Sequence, residues 1–225
     1  MIAHVIARAA ASGALDVIVA TDDERIAAVA RGCGAEVAMT DPGHASGTDR
    51  IAEVARQRGW AAEAIVVNLQ GDSPLMPPGN LAQAAGLLLA HPDAAIGTLC
   101  VPILIDADRL NPNVVKVVMD ATGRALYFSR APIPAIAHGA QGAPAWRHLG
   151  LYAYRVGSLA TLSAAEPCPI ELGEKLEQLR ALWLGLEIRI ALAQASPGAD
   201  VDTPADVAEV ELALKRQPPA RVTAP

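Results

Sequence analysis

The chain is poor in aromatic residues, which make up 3% of its 225 positions, and no apolar run reaches the roughly 18 residues needed to span a bilayer. Its three cysteines, Cys33, Cys100 and Cys168, are odd in number, far apart and without C-x-x-C spacing. Neither a disulfide framework nor a zinc site is supported, and a reducing cytoplasm is the simplest setting. Surplus positive charge is missing too. A formal net charge of -6 and a pI near 5.3 argue against nucleic acid or an acidic membrane surface as partner, since both call for a basic face. There are no internal repeats, and neither a P-loop pattern nor a G-x-G-x-x-G dinucleotide fingerprint is present. The opening MIAHVIARAAASG has no basic leader, and His4 and Arg8 interrupt its apolar residues, so it reads as an amphipathic helix and not as a targeting segment.

What is present is a core. Hydrophobic residues make up 52% of the chain, and its length suits one α/β domain, taken here as residues 1–217 with a frayed tail at 218–225. Val- and Ile-rich runs at 17–20, 35–39, 64–70, 94–103 and 188–193 alternate with helix-period segments. Such alternation predicts βαβ units and a mixed, mainly parallel sheet flanked by helices. Residues 114–134 hold two β-prone runs around Asp120-Ala-Thr-Gly123, a hairpin signal, and HLGLYAY follows as a further strand. This middle part, about 111–155, is expected to be antiparallel, to leave the main sheet and to carry a subunit contact. A doubly wound sheet has its first strand near the centre, so a chain that opens on a helix leaves that slot empty.

Ligands of open parallel sheets collect outside the carboxyl ends of the strands. There VIVATDD supplies Thr21, Asp22 and Asp23, VVNLQGD supplies Gln70, Gly71 and Asp72, IALAQ ends in Gln194, and VDTPAD supplies Asp202. Asp72 and Asp202 make a hard-oxygen pair suited to Mg²⁺, with Gly71 letting a phosphate approach the backbone. Each acid has a structural alternative as well, Asp72 as a turn former and Asp202 as the lead into the helix start Thr203-Pro204. In SGTDR, Ser46 is either an ordinary helix cap or a ligand donor, and Arg50 either a solvated cation or a partner for a base or phosphate. Strand alternation sets His148, Gly150, Tyr152 and Tyr154 on one face. Arg130 offers a fork that suits a carboxylate. The segment 173–185 is expected to be helical, with Leu176, Leu179 and Trp183 inward and Glu177 within reach of Arg180.

Taken in order, VIVATDD, SGTDR, VVNLQGDSP, NPNVVKVV, ALYFSRAPIP, RHLGLYAYR, LEQLR and VDTPAD closely resemble the 3-deoxy-manno-octulosonate cytidylyltransferase family, from Met1 to about Lys215. The resemblance implies a Rossmann-like nucleotide-diphospho-sugar transferase fold with an antiparallel dimerisation excursion. It also implies a cytoplasmic homodimer that joins CTP and Kdo into CMP-Kdo and diphosphate, with Mg²⁺, for lipopolysaccharide biosynthesis. By the same resemblance Asp72 and Asp202 hold magnesium and are the catalytic acids, and Ser46, Arg50 and Gly71 serve the nucleotide. Gln70, Arg130, His148, Tyr152, Glu177 and Gln178 serve the sugar acid. Family members begin with a strand and a loop of the type IPARxxSxRLPGKPL, whose cations embrace the triphosphate, whereas this chain begins just after that loop. The resemblance therefore implies a 225-residue form of weak or no activity, from a misplaced start or a clipped sequence. A noncatalytic dimer that binds the sugar acid, or an enzyme for a related 2-keto sugar acid, stays open at this level.

Overall fold

The computed structural model describes residues 1–44, 46–138, 143–201 and 203–216. The chain opens on helix α1 (Ile2–Ala10), whose Val5 and Ile6 face inward as its amphipathic pattern demands. Strands β1 (Ile18–Thr21) and β2 (Glu36–Met39) pair in parallel across helix α2 (Glu24–Gly32), a short βαβ unit. Asp23 caps α2, accepting from the backbone N–H of Arg25 at 2.7 Å. Helix α3 (Gly47–Arg58) leads to β3 (Ile65–Asn68), and α4 (Pro78–Ala90) to β4 (Ile96–Pro102). After α5 (Asp106–Leu110) come the expected hairpin, β5 (Lys116–Met119) with β6 (Ala125–Ser129), and the long strand β7 (Trp146–Arg155). Helices α6 (Val156–Ala164), α7 (Pro169–Glu174) and α8 (Gln178–Trp183) precede β8 (Ile188–Leu192) and α9 (Pro204–Arg216).

Among the described residues the main sheet has six strands, in the order β6-β5-β7-β4-β8 with β3 also paired to β7. β4 and β8 run parallel, while β7 runs against β3, β4 and β5. The antiparallel part thus does not leave the main sheet, contrary to the sequence expectation. β7 is ten residues long and presents pairing edges to both sides, so it draws the hairpin into the sheet. Alternation along β7 sends Leu149, Leu151 and Ala153 to the α4 face and Tyr152 and Tyr154 to the face covered by α3, α6 and α8. Each face holds a closed apolar core, and a fully buried leucine such as Leu88, Leu99 or Leu159 contributes about 1.5–3 kcal/mol. Gly97 is fixed by packing, because a Cβ there would stand 2.5 Å from the Ala84 carbonyl oxygen of α4.

Across from this sheet stands the β1–β2 unit with its own small core of Ile6, Val19 and Ala30. A cleft of about 1030 Å³ separates the two, lined by β1 on one side, β3 on the other and the inner face of α1. Among the described residues β1 pairs only with β2, and β3 only with β7.

Two details of 173–185 differ from expectation. The helix is broken at Lys175, which takes a left-handed φ of 52°, and Trp183 is exposed while Gln178 and Arg180 are buried. Arg180 does not pair with Glu177. It donates to Glu171 at 2.8 and 2.5 Å and to the carbonyls of Leu162 and Ala165, which supply more acceptors in a buried place than a neighbour on the same helix. Helix α9 starts as the sequence suggests: Thr203 donates from its backbone N–H and its hydroxyl to the Asp206 carboxylate. Asp202 and the tail at 217–225 lie outside the described residues.

Candidate active site

The polar residues at the strand ends converge where α3 begins. Ser46 is the N-cap of α3, its Oγ accepting from the Asp49 N–H at 3.2 Å. The same Oγ lies 2.9 Å from Glu177 Oε1 and 2.9 Å from the Asp49 carboxylate. Thr48 donates to Glu177 Oε2 at 2.9 Å and lies 3.4 Å from the Tyr154 hydroxyl. Glu177 is therefore clasped by the first turn of α3. Burial pushes its carboxyl above the usual range, the Ser46 and Thr48 donors oppose that, and the nearby Asp49 charge adds to it. Gly47 faces the end of β3, where a Cβ would sit 3.5 Å from Gln70 Nε2 and 3.7 Å from Asn68 Nδ2. Gln70, Ser46, Glu177 and, through the ring stack below, Tyr152 and His148 thus meet in one region.

A ladder of rings backs this region. Phe128, His148, Tyr152 and Tyr154 follow with centroid spacings of 4.8, 5.2 and 5.7 Å, as alternation along β7 required. Thr98 donates to the Leu151 carbonyl at 2.7 Å and offers its lone pair to His148 Nε2 at 2.9 Å, which sets the tautomer with the proton on Nε2. Burial pulls the His148 pKa down to about 3, so the ring is neutral at pH 7. Tyr152 and Tyr154 are likewise held protonated, chiefly by burial.

Arg50 reaches across the carboxyl ends of β1 and β2, donating to Thr40 Oγ1 at 2.5 Å and lying 3.3 Å from Asp22. It lines the cleft together with Gly47, Asn68, Gln70 and Gly71. Gly71 is open: a Cβ there would meet nothing nearer than Ile2 Cδ1 at 4.0 Å. Asp72 follows, half-buried, and its carbonyl accepts from Val201 N–H at 2.8 Å. That bond brings the chain just before Asp202 alongside Asp72. Helix α4 secures the approach, since Asn80 exchanges hydrogen bonds with the backbone of Ala195, and Gln83 does so with Leu192 and Gln194. Among the described residues no group of three or more His, Cys, Asp and Glu side chains gathers. A magnesium ion here would rest on Asp72 and on donors beyond those residues, and a carboxylate oxygen is the donor that ion prefers.

Arg130 stands further along, at the end of β6. Its Nε donates to the Glu174 carbonyl at 2.7 Å, one Nη to the Pro112 carbonyl at 2.9 Å and the other, weakly, to Lys175 at 3.5 Å. Among the described residues three of its five N–H donors are engaged and two remain. Gln178 is buried at the start of α8. The sequence patterns do not single out Asn68, Thr98, Lys116 or Glu174. Asn68 and Thr98 sit inside apolar strand runs, where a lone polar residue was the available signal.

A family model described as cytidylyltransferase matches residues 1–188. The 3-deoxy-manno-octulosonate cytidylyltransferase of Thioalkalivibrio sulfidiphilus is 53% identical over 223 residues, covering 96% of this chain and 88% of its own length. That of Halorhodospira halophila is 51% identical, with 96% and 87% covered. Among solved structures, CMP:2-keto-3-deoxy-manno-octonic acid synthetase complexed with CTP superposes with a TM-score of 0.88 at 38% identity, covering 95% of this chain and 87% of that one. A 4-diphosphocytidyl-2C-methyl-D-erythritol synthase, at 17% identity and a TM-score of 0.61, shares the fold.

Proposed function

The chain belongs to the cytidylyltransferase family, and from that premise we propose how it joins CTP and 3-deoxy-manno-octulosonate (Kdo) into CMP-Kdo and diphosphate, a step toward lipopolysaccharide. The observation that carries the reading is the 2.9 Å contact between Ser46 and Glu177, 131 residues apart, which joins the nucleotide-side loop to the sugar-side turn. Ser46 and Arg50 would hold the cytidine side at the cleft. Gln70, Tyr152, Glu177 and Gln178 would meet sugar hydroxyls, with neutral His148 backing Tyr152 and the two spare donors of Arg130 taking the Kdo carboxylate. The reaction is an in-line attack of the anomeric hydroxyl on the α-phosphorus, with diphosphate leaving. The residues contribute chiefly by holding the two substrates in line. Mg²⁺, held by Asp72 and Asp202, would neutralise phosphate charge when bound.

We include in this reading a homodimer and a cytoplasmic setting. Leu126 on β6 and Ile136 just beyond it are each 50% exposed, which supports a second copy against that edge. The three free thiols support a reducing compartment. The test supplies CTP, Mg²⁺ and Kdo to the 225-residue protein and to a version extended before Met1 by a family-type strand and loop. CMP-Kdo formation, strongest in the extended version, is the expected result. Formation by neither would overturn the assignment.

A further inference from the structure

Lys116 has no part in the chemistry above, yet it is the largest of the fully buried side chains. Its ammonium donates to three backbone carbonyls, Asn111 at 2.9 Å, Val114 at 2.6 Å and Arg130 at 2.5 Å. An ammonium has three protons, so this set of acceptors satisfies it. The acceptors come from two separate stretches, the turn between α5 and β5 and the end of β6. Glu174 closes the arrangement from the other side. Its carboxylate accepts from Ser129 Oγ at 2.6 Å and from the Arg130 backbone N–H at 2.9 Å, and its own carbonyl accepts from Arg130 Nε. The backbone of Arg130 is thus held at its N–H by Glu174 and at its carbonyl by Lys116. Its guanidinium rests on Pro112, within the turn that Lys116 grips, and on the last carbonyls of α7.

We propose that Lys116 and Glu174 are positioning residues of the sugar-acid end, a clamp that fixes Arg130 so that its two remaining donors face a carboxylate in one orientation. The inference rests on the reading of Arg130 as the carboxylate partner. Burial pulls the Lys116 ammonium below its usual pKa range, and the Glu174 charge opposes that. The clamp also has reach. Glu174 is three residues before Glu177, and Lys175 turns the chain between them, so the segment that grips Arg130 continues into the one clasped by Ser46 and Thr48. A clamp on Arg130 alters affinity for the anionic sugar. Among the described residues none of its hydrogen bonds reaches the β1–β2 unit, so CTP binding should be left as it is.

The test uses the 225-residue chain with Lys116→Met and Glu174→Gln. Removing the ammonium strands three carbonyls, so Lys116→Met is at risk of not folding, and Glu174→Gln, at a half-buried position, supplies the second variant. Titration calorimetry measures Kdo and CTP separately, and amide hydrogen exchange reads the Arg130 N–H. Each variant is expected to raise the Kd for Kdo about tenfold or more, to leave that for CTP within about twofold, and to speed Arg130 exchange about tenfold. Equal weakening of both ligands, or faster exchange with an unchanged Kd for Kdo, would reduce the pair to structural residues and overturn the proposal. If the unmodified chain binds no Kdo, the reading of Arg130 as carboxylate partner fails and the proposal falls with it, whereas Kdo binding that neither variant weakens overturns the clamp alone.

Discussion

The six-stranded sheet and the β1–β2 unit face each other across one cleft and are held together in different ways. On the sheet side, polar groups are buried and engaged: the charges of Arg180 with Glu171 and of Lys116 with three carbonyls, and the neutral His148 ring with Thr98 inside a ring ladder. On the other side the core is three buried residues deep, and the polar links are half-exposed ones such as Arg50 with Asp22. Groups fixed by burial resist rearrangement, because any motion strands a charge or a donor. Groups at a half-exposed edge move at small cost. The sheet side is therefore built rigid, while the β1–β2 side has room to adjust.

The largest expected effect that sharpens this contrast is on stability. Arg180→Ala leaves Glu171 and the Leu162 and Ala165 carbonyls without their donor and should cost about 3–5 kcal/mol in urea unfolding. A cost below about 1 kcal/mol would remove the rigid half of the comparison. Next, Asp72→Asn should cut CMP-Kdo formation by on the order of 100-fold or more in the extended version, with the melting temperature little changed. Unchanged turnover would return Asp72 to a turn role.

The third effect is one of pH. His148 is neutral in the fold with a pKa near 3, against 6.5 when unfolded. The unfolded chain binds the proton first, so the contribution is complete above pH 6.5 and is lost as pH falls toward 3. Unfolding between pH 6.5 and 5 should show a loss of about 2 kcal/mol from this residue, missing in His148→Gln. Smallest, Arg50→Ala should weaken CTP about tenfold in calorimetry and change stability by less than about 1 kcal/mol, since its ion pair is partly solvated. A large stability loss there would show the β1–β2 side to be as rigid as the other.

Much of this was legible in the chain. The five Val- and Ile-rich runs became β1, β2, β3, β4 and β8, the hairpin formed around Asp120 to Gly123, and α1 buried the face its spacing assigned. Those features are local, written in periods of 2 and 3.6 residues. Trp183 was read inward from the same period and proved exposed, because the break at Lys175 resets the phase of the helix that follows. The hairpin was expected to stand apart, yet β7 took it into the sheet. Pairing partners are chosen by free edges, which carry no local signature.

The sequence by itself determined the element types, the strand ends where polar residues gather and, through eight ordered motifs, the family. Only the tertiary structure decided that Glu177 answers to Ser46 and Thr48 and not to Arg180, that His148 is silent at neutral pH, and that Lys116 holds the backbone of Arg130. The reason is physical. Periodicity acts between near neighbours along the chain, whereas a buried charge or donor takes whatever partner the packed fold brings within 3 Å, because leaving it without one costs more than any local preference provides.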